Sequence, residues 1–157
     1  FLAVTISTLA PKIASLYADG KIKEIEKMIQ QITKGLLILG LTSVLVYALL
    51  GEFILGFWGE QFVESYWILI IITFGQFFNI STGSTGIFLM MTGHEKILGK
   101  ITFLSVGLNI TMNIFLIPLY GAIGAAIATA TTVTLENIIK VIVVKKKEGI
   151  ITIPFFN

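Results

Sequence analysis

Long uncharged apolar runs alternate along the chain with short charged stretches. Thirty-five residues without a formal charge separate Lys100 from Glu136, and 29 separate Glu64 from His94. Runs of about 18 or more apolar residues read as membrane-spanning helices. Residues 1–18 read as the end of one such helix, running past Pro11. The pattern then changes. Ile22, Ile25, Ile29, Ile32 and Leu36 recur every three or four positions, while Lys21, Lys23, Glu24, Lys27 and Lys34 take other faces. That spacing predicts an amphipathic surface helix over 20–34. Spans are predicted at 35–51, 66–92, 101–119 and 122–144. The stretch GQFFNISTGSTG interrupts the second of them, and Pro118 with Gly121 predicts a tight turn between the third and fourth. Residues 52–65 and 93–100 read as loops. The expected fold class is all-α, a polytopic transmembrane helical bundle, with 1–147 as one membrane domain and 148–157 as a tail.

Composition agrees with this pattern. Of 157 residues, 55% are hydrophobic and 13% charged, where a soluble domain needs roughly a quarter charged. Mean hydropathy is +0.94. With no cysteine, a disulfide framework, a thiol nucleophile and a Cys-based metal site are excluded. A single His cannot form a His cluster. A net charge of +2 is too small for a nucleic-acid footprint, so no nucleic acid is expected as a partner.

Charge also gives orientation. All eleven basic residues are Lys: five lie in 12–34, two in 93–100, three at 145–147 and one, Lys140, within the fourth span, with none in 52–65 or 118–121. The positive-inside rule makes 12–34, 93–100 and the tail 145–157 cytoplasmic, in a multi-pass protein of the cell membrane. Phe57, Trp58, Phe62, Tyr66 and Trp67 fit an interfacial belt on the opposite side. A chain opening at Phe1, inside an apolar run, reads as an internal or C-terminal piece of a longer protein.

Candidate chemistry lies in polar groups that hydrocarbon would exclude. Glu136 and Lys140 are four apart on one helix face and can pair. Measured from Lys145, Glu136 lies about 13 Å inside and Lys140 about 7 Å. Lys140 can snorkel to the interface, but Glu136 must pair, protonate or face water. Two readings stay open, a proton- or cation-coupled role and a structural pair. Thr129 and Thr132 share this face, and could equally bond their own backbone. Gln76, Asn79, Ser81, Thr82, Ser84 and Thr85, with Gly75, Gly83 and Gly86, suggest a loosened helix or ordinary small-residue packing. Ser105, Asn109 and Asn113 form a stripe down the third span. Gly121–Ala125 and Gly124–Ala128 are small pairs that permit close helix approach. No catalytic set and no metal or cofactor motif is present in the sequence, so no enzyme activity is expected.

Several stretches together resemble one family. Ala10-Pro11-Lys12-Ile13 with Leu16-Tyr17-Ala18-Asp19-Gly20, Phe57-Trp58-Gly59-Glu60-Gln61-Phe62, and Leu89-Met90-Met91-Thr92-Gly93 with Lys96 occur in order. Asn109 and Asn113 then precede the run Ile117-Pro118-Leu119-Tyr120-Gly121-Ala122-Ile123-Gly124-Ala125-Ala126-Ile127-Ala128-Thr129, which is the most specific. Over most of residues 8–147 the chain resembles the O-antigen and capsule polysaccharide flippases of the multidrug/oligosaccharidyl-lipid/polysaccharide exporter superfamily. The resemblance implies a place in the second six-helix lobe of a fold like that of the multidrug and toxin extrusion transporters. It implies flipping of an undecaprenyl-diphosphate-linked oligosaccharide by alternating access, with membrane lipids and a coupling proton or sodium ion as further partners. Glu136, Lys140, Asn79, Asn109, Asn113, Thr129 and Thr132 are the candidate pathway residues. A cationic cavity for the diphosphate is implied too, whereas Lys140 is the only intramembrane base here. The alternative is a cation antiporter of the multidrug and toxin extrusion type, for which a carboxylate such as Glu136 would serve. A membrane-embedded enzyme would need clustered His, Asp or Arg, and a helical scaffold would need only the packing residues.

Overall fold

A computed structural model describes residues 2–82 and 84–153, with side chains from Leu9 onward. Phe1, Gly83 and 154–157 lie outside the described residues. Among the described residues all regular structure is helical: α1 (Leu2–Ala18), α2 (Ile22–Gly56), α3 (Glu60–Val63), α4 (Tyr66–Ser81), α5 (Thr85–Met91) and α6 (Glu95–Glu148). The chain is all-α.

The structure differs from the sequence pattern at the join 34–35 and in the loops 52–65 and 93–100, the last of which is helical from Glu95 onward, and it keeps the interruption expected in 66–92. The amphipathic stretch 20–34 and the span 35–51 form one uninterrupted helix of 35 residues, α2. A single glycine at 35 costs about 1 kcal/mol in a helix interior, which the apolar stretch that follows outweighs. α2 also continues through Glu52 to Gly56, and α3 takes up part of the expected loop 52–65. The span 66–92, by contrast, is two helices bent by 43°. The break is chemically prepared. The carbonyls of a helix's last turn lack intrahelical partners, and here hydroxyls take them. Ser81 Oγ donates to Phe78 O at 2.9 Å, and Thr82 Oγ1 donates to Asn79 O at 3.0 Å.

α6 is a hairpin rather than a rod. In a straight helix, Thr102 and Glu136 would stand about 51 Å apart at 1.5 Å per residue, yet their side chains are hydrogen-bonded at 3.0 Å. The reversal is at Gly121, with φ 57° and ψ −135°, three residues after Pro118. A side chain strongly disfavours that backbone. Just beyond it, a Cβ on Gly124 would run into the carbonyl oxygen of Leu116, so the two arms close tightly. Each arm, 95–120 and 122–148, is about 39 Å long at 1.5 Å per residue. Either is long enough to cross a hydrocarbon core of about 30 Å.

α4 packs between α2 and the second arm of α6. Small residues set both approaches. A Cβ built on Gly75 would lie 2.7 Å from Ala130 Cα, so α4 and α6 touch backbone to backbone. On the other side Gly51 receives the Tyr66 ring, whose hydroxyl donates to Ala48 O at 2.9 Å. Close approach at small residues is how helices associate where lipid removes the hydrophobic driving force.

The buried apolar core sits at the Lys-rich end. It joins Leu9 and Ile13 of α1, Ile25 and Ile29 of α2, Phe88 and Leu89 of α5, Val144 of α6 and Ile150. Much of the remaining surface of α2 and α6 is apolar and exposed: Leu49 and Phe103 are each 79% accessible. Only 11% of the most apolar window of either helix is buried. Water would penalise that surface heavily, whereas hydrocarbon would not. The chain is therefore a membrane protein.

Candidate functional site

The second arm of α6 carries polar groups on two sides. Toward the first arm, Lys140 Nζ meets Glu136 Oε1 at 2.7 Å, and Thr102 Oγ1 donates to the same oxygen at 3.0 Å. Both charged side chains are more than four-fifths buried. One and two turns on, Asn109 Nδ2 donates to Thr132 Oγ1 at 3.0 Å, and Asn113 Nδ2 donates to Asn109 Oδ1 at 3.0 Å. Thr132 passes its own proton to the backbone, to Ala128 O at 2.8 Å and Thr129 O at 3.1 Å. The Thr129 side chain is exposed. Five of the candidate residues, Glu136, Lys140, Asn109, Asn113 and Thr132, thus form one seam inside the hairpin.

Asn79 is not in that seam. It lies across the other side of the arm, where Asn137 Nδ2 donates to Asn79 Oδ1 at 3.0 Å and Thr82 Oγ1 donates to Asn137 Oδ1 at 3.2 Å. Asn79 Nδ2 in turn donates to Gln76 Oε1 at 3.2 Å. Asn137 is the residue that sequence reasoning missed. It is buried, and it ties the broken end of α4 to α6. Its signal was available: Ala130, Thr134 and Asn137 recur at four and three residues, a second polar or small face on the fourth span.

Chemically, the hairpin seam is compensated. The carboxylate has a cation and a hydroxyl on one oxygen, so neither charge stands alone in low dielectric. An anion reaching Lys140 would have to compete with Glu136, and a cation reaching Glu136 would have to compete with Lys140.

A second polar cluster closes the Lys-rich end. Glu148 Oε1 accepts from the Tyr17 hydroxyl at 3.1 Å and lies 3.6 Å from His94 Nδ1. Thr92 Oγ1 donates to Phe88 O at 2.8 Å and sits 3.1 Å from the same His nitrogen.

Known proteins offer one point of comparison. The chain is similar to the capsular polysaccharide biosynthesis protein CapF of Staphylococcus aureus. The two are 31% identical over 133 residues, which is 84% of this chain and 33% of CapF. The chain spans about a third of the length of that relative. No family model matches the chain, and no solved structure matches it.

Proposed function

We propose that the chain forms part of a transporter that flips a lipid-linked oligosaccharide across the cytoplasmic membrane, for surface polysaccharide biosynthesis, by alternating access. The observation that carries this reading is the likeness to CapF, a protein named for capsular polysaccharide biosynthesis, over 84% of the chain. Membrane-length helices with polar seams support it. A flippase must offer a polar path to a sugar headgroup while the prenyl tail stays in hydrocarbon. In this reading the chain lies in the second lobe, its Lys-rich end faces the cytoplasm, and the activity is transport without catalysis. Lys140 supplies the positive charge that a diphosphate needs. Glu136 holds that charge when substrate is absent and releases it when the diphosphate arrives.

The cation antiporter is the weaker reading. The Glu136–Lys140 contact at 2.7 Å weighs equally on both readings, whereas the likeness to a protein named for capsular polysaccharide biosynthesis favours a glycan over a small cation as cargo.

The test is complementation. The full-length protein is expressed in a bacterium lacking its own flippase, and surface polysaccharide is measured with several donor glycans. Restoration is expected, with loss in Lys140→Ala and partial retention in Lys140→Arg at equal expression. Failure to restore with any donor, at normal expression, would overturn the flippase reading. Restoration that survives Lys140→Ala would return the pair to a structural role.

A further inference from the structure

We infer that the segment 149–152 is a releasable strap that ties the amphipathic half of α2 to the end of α6. α6 stops at Glu148 because Gly149 turns left-handed, with φ 70°, and donates its N–H to Lys145 O at 3.1 Å. The chain then folds back over α2. Ile150 enters the core beside Ile25 and Ile29. Both polar atoms of Ile151 are held by α2 side chains. Its N–H donates to Glu26 Oε1 at 2.8 Å, and its carbonyl accepts from Gln30 Nε2 at 2.8 Å. Glu26 and Gln30 are one turn apart on one helix face, so together they hold a backbone unit irrespective of its side chain.

The strap adds polar bonds to a join that is otherwise slight. α2 packs mainly on α1, α3 and α4 and α6 mainly on α4 and α5, and the two share the apolar core through Ile25, Ile29 and Val144. At the Lys-rich end, the hydrogen bonds from Ile151 reach across 121 and 125 residues of chain to join the two. Removing them loosens the start of α2 from the end of α6 and leaves the shared apolar core at Ile25, Ile29 and Val144 in place.

The strap is also poised to leave. Thr152 is 1% exposed, and its hydroxyl has no hydrogen-bond partner among the described residues. An unpaired buried hydroxyl lowers stability, and water would satisfy it as soon as the segment lifted. Docking by Ile150, Glu26 and Gln30 therefore works against a built-in cost at Thr152. In the transport reading, opening toward this end requires release of the strap. That clause alone rests on the flippase proposal.

Hydrogen exchange of the full-length protein in lipid nanodiscs tests this, reading the peptide that covers 149–153. In the unmodified protein it should exchange more slowly than a free peptide and faster than the interior of α6. The double variant Glu26→Ala with Gln30→Ala should speed that exchange about tenfold or more, and Thr152→Val should slow it about tenfold. Exchange across 130–144 should stay unchanged in both, because the event is local. Free-peptide exchange in the unmodified protein would overturn the strap. So would exchange that ignores Glu26 and Gln30. Thr152→Val is free of the risk of unfolding, and no slowing there would refute a segment held against its own cost. None of these outcomes depends on whether the protein flips polysaccharide.

Discussion

Removing the Asn137 amide should unfasten α4 from α6 without touching the hairpin seam. Asn137→Ala deletes one interhelical bond at 3.0 Å to Asn79. It also deletes a weaker one at 3.2 Å from Thr82, whose single proton is shared with Asn79 O. In membrane proteins, such side-chain bonds average about 0.6 kcal/mol in double-mutant cycles and reach about 1.7. One full bond and one shared bond, with a small cavity, give about 1–2 kcal/mol for the single variant. Asn79 is exposed and keeps Gln76 as a partner, so its own replacement should cost less. A cycle of Asn79→Ala, Asn137→Ala and the double variant isolates the bond. The coupling should be about 0.6 kcal/mol or more, read by reversible unfolding in bicelles. A coupling within about 0.3 kcal/mol of zero, the scatter of independent sites, would refute the claim that this amide pair holds the two helices.

Two further outcomes follow from the geometry. Glu136→Gln and Lys140→Gln should each destabilise more than the double variant, because either alone leaves an unpaired charge worth about 3–5 kcal/mol when buried; thermal unfolding of the three proteins decides it. Gly75→Leu should separate α4 from α6, since even a Cβ there meets Ala130 at 2.7 Å, at a cost of about 1–3 kcal/mol. A cross-link between the two helices should lose yield accordingly.

The helical class was legible because long uncharged runs leave few other solutions. Membrane character followed from the same runs. The sequence was less informative wherever two distant stretches decide an outcome together. Nothing local reveals that α2 continues through Gly35, because the break expected there rested on a change of solvent rather than on a breaker. Glu136 and Lys140 advertise themselves by charge and by four-residue spacing. Their third partner, Thr102, is 34 residues away and sits in an ordinary apolar stretch. Asn137 was overlooked beside a charged neighbour, although its face differs from that of Glu136 by one helical step. Ile151 could not have been found at all, since an isoleucine contributes only its backbone to the contact with Glu26 and Gln30.

Being keyed on both sides limits how the second arm of α6 can move. One residue of helical rotation turns a side chain by about 100°. Such a turn would carry Glu136 away from Thr102 and Asn137 away from Asn79 in a single step. The two bonds therefore favour one azimuth of the arm. Tilting or sliding the arm together with α4 and its hairpin mate keeps these bonds, whereas turning it alone breaks them on both sides at once.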